Sequence, residues 1–173
     1  ENSIAAATLA YQVGVSAENI INGIESFKGV KRRFEILINN TNNIYIDDYA
    51  HHPTEIKKLI NSVKKIFPGK PIAMLFQPHL FSRTQDFLES FKEVLSEIDM
   101  LGILPIYGAR EKPIPGINSQ KLVNLIPKSN IISFENGTKW LCDQKNCVQI
   151  TAGAGDINRL VPFIVDCIKK SKN

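Results

Sequence analysis

Ile46-Asp47-Asp48-Tyr49-Ala50-His51-His52-Pro53-Thr54-Glu55 is the stretch on which the reading of this chain turns. The apolar run Asn43-Ile44-Tyr45-Ile46 enters it as a strand, and a segment with one apolar face leaves it as a helix. Between them lie two carboxylates, a phenol and two imidazoles. Polar groups gathered at the carboxyl end of a strand, where a helix begins, mark the usual ligand position of open α/β sheets. The third histidine of the chain, His79, falls at the matching point of the next strand–helix unit.

Working outward, strands and helices alternate from Arg33 onward. Strands are predicted at Phe34 to Ile38 and Ile44 to Asp48, joined by the turn Asn39-Asn40-Thr41-Asn42. A helix follows with Pro53 at its first position and Ile56, Leu59, Ile60, Val63 and Phe67 in one stripe, and Pro68-Gly69 stops it. Ile72 to Phe76 reads as a buried strand. The next helix opens at Ser82-Arg83-Thr84-Gln85, a capping-box spacing, with Phe87, Phe91, Val94, Leu95 and Ile98 on its inner face. Leu101 to Ile106 is a strand, followed by a long loop with Gly108, Pro113, Pro115 and Gly116. Asn118 to Ile126 and Asn136 to Cys142 read as helices, and Asn130 to Phe134 and Cys147 to Thr151 as strands. Ala152-Gly153-Ala154-Gly155-Asp156 leads into a last helix whose lysines, Lys169, Lys170 and Lys172, suit its negative end. The alternation implies an α/β fold with a mostly parallel sheet of about six strands, one of them antiparallel, covered on both sides.

Residues upstream of the connector Val30-Lys31-Arg32-Arg33-Phe34-Glu35-Ile36 read differently. Asn2 is a cap candidate for a first helix that Gly14 ends, and Ser16 caps a second that Gly29 closes. No strand precedes this pair, so the boundary is placed at the connector. The chain opens at Glu1 straight into helical sequence and is read as part of a longer protein. Its 173 residues suit one domain plus a piece of another, with 43% apolar residues for a core. The net charge of +4 is a weak pointer to anionic ligands. No basic run carries interleaved aromatics, which argues against a nucleic-acid binder. Cys142, Cys147 and Cys167 are odd in number and lack a CxxC spacing, as expected of a reduced, cytoplasmic protein. No apolar stretch approaches the roughly 18 residues of a membrane span.

The chemistry gathers at four places. Alternation puts Asp47 and Asp48 on opposite sides of the strand end, so one can brace the loop while the other meets a ligand hydroxyl. A histidine at a helix N-terminus meets positive charge, which favours the neutral imidazole. The same residues also suit plain capping of the helix at Pro53. His51 and His52 alone make a poor metal site, since neighbours in sequence seldom ligate one ion and no third ligand is evident. Arg83, in the first turn of its helix, is either an anion ligand or a solvated surface cation. Arg32-Arg33 is either a phosphate clamp or a pair of linker charges. Gly153-Ala154-Gly155 either lets a backbone approach an anion or makes a tight structural turn. No GxxxxGK[ST] loop is present.

Five stretches stand in order along almost the whole chain: Gly29 to Glu35, Asp47 to Glu55, Phe76 to Thr84, Tyr107 to Gly116 with Glu111-Lys112-Pro113-Ile114 inside it, and Gly153-Ala154-Gly155-Asp156-Ile157. Together they resemble the Mur ligase family. The Asp47 to Glu55 stretch is shared by a branch that attaches a recycled tripeptide, and the Phe76 to Thr84 stretch is similar to the branch that attaches L-alanine. The resemblance implies that residues 31–173 are the Rossmann-like C-terminal domain and residues 1–30 the last helices of a central ATP-binding domain. It implies ATP-dependent joining of L-alanine to UDP-N-acetylmuramate through an acyl phosphate, in peptidoglycan precursor synthesis in the bacterial cytoplasm. Magnesium would assist, on ligands outside this chain, and the remaining domains of the same protein would be partners. Matched residue by residue, Asn2, Arg33 and Asp48 fall on ATP-binding positions at adenine, γ-phosphate and ribose. Tyr49, His51, His52, His79 and Arg83 fall around the amino acid and the muramyl end, with His51 and Arg83 as the catalytic candidates. Leu80 departs from the family, where many relatives have arginine, and leaves more of the anion recognition to Arg83. The readings held beside this one are the tripeptide branch and an α/β module that binds a nucleotide without chemistry.

Overall fold

The computed structural model describes residues 2–170, so Lys172 lies outside the described residues. The chain divides into two units, Glu1–Val30 and Lys31–Asn173. The first holds α1 (Asn2–Gln12) and α2 (Ala17–Ser26). Asn2 sits inside the first turn of α1 and is not its cap. Gly14, at φ +88°, ends α1 as expected. The Ser16 hydroxyl accepts from the Asn19 N–H and caps α2, which stops at Ser26, short of Gly29.

The second unit runs β1 (Glu35–Asn39), β2 (Ile44–Asp48), α3 (Pro53–Ile66), β3 (Ile72–Phe76), α4 (Phe81–Asp86), α5 (Leu88–Leu95), β4 (Met100–Ile103), α6 (Ser119–Leu125), β5 (Ser129–Ile131), α7 (Phe134–Cys142), β6 (Val148–Ala152), a 3-10 turn (Asp156–Leu160) and α8 (Val161–Lys170). The strands form a sheet of order β1-β2-β6-β3-β4-β5, with β1 antiparallel to β2 and the other pairs parallel. β3 is buried throughout, and its alternate residues serve different layers. Met74 and Phe76 pack with Ile56 and Ile60 of α3, Phe91 and Leu95 of α5 and Leu122 of α6. Ala73 and Leu75 face Leu141 of α7, Ile157, and Ile164 and Ile168 of α8. Each side chain of this size stabilises the fold by about 1.5–3 kcal/mol when fully buried.

Several predicted boundaries move, for physical reasons. β1 begins at Glu35, because Phe34 has φ +49° and cannot lie in a ladder. β4 ends at Ile103 instead of Ile106, since Pro105 has no N–H to donate. β5 stops at Ile131 and α7 starts at Phe134, so this edge strand is shorter than predicted. β6 runs one residue later, to Ala152, and the last helix opens with a 3-10 turn. The single helix predicted from Ser82 is two, α4 and α5, broken at Phe87. Phe87 leaves the inner face and sets its ring against His52, at 4.5 Å between centroids. Ser82 is not a cap. Leu80 occupies the cap position of α4, at φ +70° and with no side-chain bond to the helix.

Candidate functional site

β2, β6 and β3 end level, because Asp48 pairs with Ala152 and Ala152 with Phe76. Tyr49, Gly153 and Gln77 therefore leave one rim side by side. Parallel register thus brings the loop after β2 next to the loop after β3, and two separate motifs into one place.

Under the rim lies a buried polar chain. The Tyr45 hydroxyl donates to Thr151 Oγ1 at 2.9 Å, and that hydroxyl donates to Asp47 Oδ1 at 2.6 Å. Burial pushes the Tyr45 phenol far up from its ordinary value, so it stays a donor. Asp47 Oδ2 accepts from Arg32 Nε at 3.0 Å, and Arg32 Nη2 donates to the Gly153 carbonyl at 2.5 Å. Arg32 is therefore spent inside the protein. It takes φ +60°, and its N–H donates to Glu35 while its carbonyl accepts from the Tyr49 N–H. Asp48 is also braced: Oδ2 accepts from Phe34 N–H at 2.6 Å and Oδ1 from Ala50 N–H at 2.7 Å. Burial raises its pKa against the pull of these two bonds and of Arg33.

Tyr49, His51, His79 and Tyr107 make a strip across the rim. Neighbouring ring centroids stand 5.3, 5.5 and 5.8 Å apart. The guanidinium of exposed Arg33 lies 5.5 Å from the Tyr49 ring at one end, and Arg83 Nη1 lies 3.3 Å from His79 Nδ1 near the other. His51 Nδ1 is 2.8 Å from the Tyr49 carbonyl, which only accepts, so Nδ1 carries a proton, and in the neutral ring Nε2 is the acceptor. His79 is the opposite case. Arg83 donates to its Nδ1, and burial, His51 and Arg83 together lower its pKa, so Nε2 is the N–H donor.

His52 has turned to structure. Its Nδ1 accepts from Thr54 N–H and caps α3, while Glu55 reaches back to the N–H groups of His51 and His52. Burial raises the Glu55 pKa, but those two N–H bonds, the His51 imidazole and Arg33 outweigh it, and the net shift is downward. The glycine loop is the tight turn. A Cβ on Gly153 would stand 2.7 Å from the Gln77 carbonyl oxygen, and one on Gly155 2.6 Å from Tyr107. Buried Gln77 fills that space, donating to Asp156 Oδ1 and accepting from Ile157 N–H. The Ser82 N–H, beside Arg83 at the start of α4, is not open to a ligand. Glu111, from the loop before α6, takes the Ser82 N–H at 3.0 Å and the Ser82 hydroxyl at 2.5 Å. Sequence reasoning missed Gln77, Tyr107 and Glu111 as parts of the site, and a lone carboxylate in a loop rich in proline and glycine was the signal for Glu111.

The rim thus joins Tyr49, His51, His79, Arg83 and Arg33, with Asp48 beneath them. Asn2 lies in the other unit, where it lines a cavity of about 410 Å³ with Ile20, Ile24 and Phe27. Among the described residues no group of three or more His, Cys, Asp or Glu side chains is placed to hold a metal ion. Among the same residues no helix is long and apolar enough to cross a membrane.

Residues 32–157 match the family model for the Mur ligase, glutamate ligase domain. The UDP-N-acetylmuramate–L-alanine ligase of Cytophaga hutchinsonii is 49% identical over 162 residues, 92% of this chain and 35% of that protein. Its counterpart from Porphyromonas gingivalis is 44% identical over 164 residues, 93% of this chain and 36% of that protein. The chain spans about a third of the length of these relatives. The solved UDP-N-acetylmuramate–alanine ligase of Thermotoga maritima superimposes with a TM-score of 0.81 at 26% identity, over 99% of this chain and 37% of that one. With most of the second unit inside one family model and close to half of its residues shared with such relatives, the chain belongs to the Mur ligase family.

Proposed function

We propose that the chain forms the amino-acid side, and part of the ATP side, of a ligase that joins L-alanine to UDP-N-acetylmuramate in the bacterial cytoplasm. Residues 1–30 end the ATP-binding central domain, and residues 31–173 are the C-terminal domain that works against it. ATP phosphorylates the lactyl carboxylate. The alanine nitrogen then bonds to the acyl carbon, the carbon–oxygen bond to phosphate breaks, and the nitrogen gives up protons.

Each residue of the rim has a task its geometry suits. Arg33 is exposed and uncommitted to the buried network, as a ligand for the γ-phosphate must be. Asp48 keeps one acceptor site on each oxygen for ribose hydroxyls. Asn2 serves the adenine. Arg83 and the His79 Nε2–H supply a cation and a donor for the carboxylate of the amino acid. His51 Nε2 is an acceptor for an amine proton, with Tyr49 beside it. His52 supports the wall through its cap. Positioning across domains is the catalyst, so residues 1–173 alone give no turnover.

The observation that carries this reading is the strip itself, assembled from three motifs with a guanidinium toward each end. The test is phosphate release by the full-length protein with ATP, UDP-N-acetylmuramate and a panel of L-alanine, glycine, L-serine and the tripeptide. Preference for L-alanine supports the reading. Preference for the tripeptide moves the protein to the sibling branch, and ATP binding without phosphate release makes it a binding module.

A further inference from the structure

The loop between β4 and α6 carries a motif to which the reaction gives no task. We infer that Glu111 is a positioning residue for the amino-acid side of the rim: it holds the start of α4, and through α4 keeps the Arg83 guanidinium against His79. The inference deepens the ligase reading and rests on it for the identity of the substrate.

α4 cannot hold itself. It has only six residues, and a helix so short is unstable without outside support. Its cap position holds Leu80, an apolar side chain in left-handed backbone, so its first N–H groups have no partner within the helix. Glu111 supplies the missing acceptor from another part of the chain. Its carboxylate bonds the Ser82 N–H and the Ser82 hydroxyl, at the helix end where negative charge is favoured. The Ser82 hydroxyl first, and the Ser82 N–H after it, hold the Glu111 carboxyl below the ordinary range.

The carboxylate is also held in place. Glu111 N–H closes a turn on the Gly108 carbonyl, and a Cβ on Gly108 would lie 2.6 Å from the Phe81 ring. Tyr107 N–H donates to Pro78, and Leu80 N–H donates to Tyr107, both at 2.9 Å. The Tyr107 ring stacks on His79 at an interplanar angle of 18°. Loop and helix start are thus laced together, with Arg83 as the third residue of α4. If α4 frays, Arg83 Nη1 leaves His79 Nδ1, and the Nε2–H tautomer of His79 loses the bond that selects it. Glu111 acts on substrate only through these two residues.

The test uses Glu111→Gln in the full-length protein, with Lys112→Gln as a neighbour control. Peptide-level hydrogen exchange over residues 79–86 is expected to speed up by about fivefold, the scale of a lost helix cap. Exchange over residues 53–66 stays unchanged. The KM for L-alanine rises about tenfold while the KM for ATP holds, a split that general loosening of the fold does not produce. Glu111→Asp is expected to recover part of the exchange protection and Lys112→Gln to match the parent. Unchanged exchange at 79–86, or equal rises in both KM values, overturns the inference. Faster exchange with an unchanged L-alanine KM overturns its substrate half. If the unsubstituted protein makes no amide, the ligase reading fails, and the exchange result alone decides whether Glu111 holds α4.

Discussion

Adjacent residues in this protein have opposite commitments, and Arg32 and Arg33 are the sharpest case. Arg32 neutralises Asp47, a carboxylate only 1% exposed, while Arg33 stays at the surface beside Tyr49. Arg32→Ala leaves that charge uncompensated and is expected to cost about 3–5 kcal/mol, read from the shift in the urea midpoint. Arg33→Ala should stay within about 0.5 kcal/mol of the parent and act instead on the KM for ATP. His79 gives a pH signature. Its folded pKa lies below the unfolded value of 6.5, so the unfolded chain takes up the proton first as pH falls. Stability from this group is whole above 6.5 and is lost as pH drops through the window beneath it. His79→Gln should flatten the fall in unfolding midpoint between about pH 7.5 and about pH 5. A steeper fall in the variant would contradict the assignment. In sequence, Asp47, Asp48, Tyr49, His51 and His52 read as one polar string. Which of them faces inward depends on partners such as Thr151, Phe34 and Phe87, which no local pattern names.

Among elements, α3 and α4 mark the two extremes of legibility. α3 writes its own instructions: Pro53 at its first position, Glu55 in its first turn, and the stripe Ile56, Leu59, Ile60 and Val63 buried as predicted, with Phe67 falling just past the helix end and half-buried. Its cap, one of the two readings the polar string allows, is an imidazole in the place of a hydroxyl or carboxylate. His52→Ala should therefore cost about 1 kcal/mol in thermal or urea unfolding, and His52→Ser should recover most of it. A loss of L-alanine affinity in His52→Ser without loss of stability would make His52 a substrate ligand instead. α4 gives the wrong signal, because Ser82 with Gln85 imitates a capping box while the real acceptor is Glu111. The break at Phe87 was equally hidden, since its ring is drawn out to His52 by a contact between distant elements.

At the scale of the molecule, the buried core of the described residues lies in the second unit. Both layers of packing lie between Ile38 and Ile168, whereas α1 and α2 bury no residue. Residues 31–173 expressed alone should unfold in one cooperative transition, seen by circular dichroism. A peptide of residues 1–30 should be largely unordered, because isolated helices of that length are marginal in water. The absence of a cooperative transition in 31–173 would show that its core needs more of the protein. By itself the sequence determined the alternation of elements, the apolar face of α3, the boundary near residue 30 and the two strand ends where the polar residues gather. Those features follow from periodicity and turn chemistry, which act over a few residues. Only the tertiary structure decided that β6 inserts between β2 and β3, that the two strand ends share one rim, and that Arg32, Asp47 and Glu111 serve inside it. Strand order, buried charge pairing and a cap borrowed from a distant loop depend on which surfaces meet, and that is settled when the whole core packs.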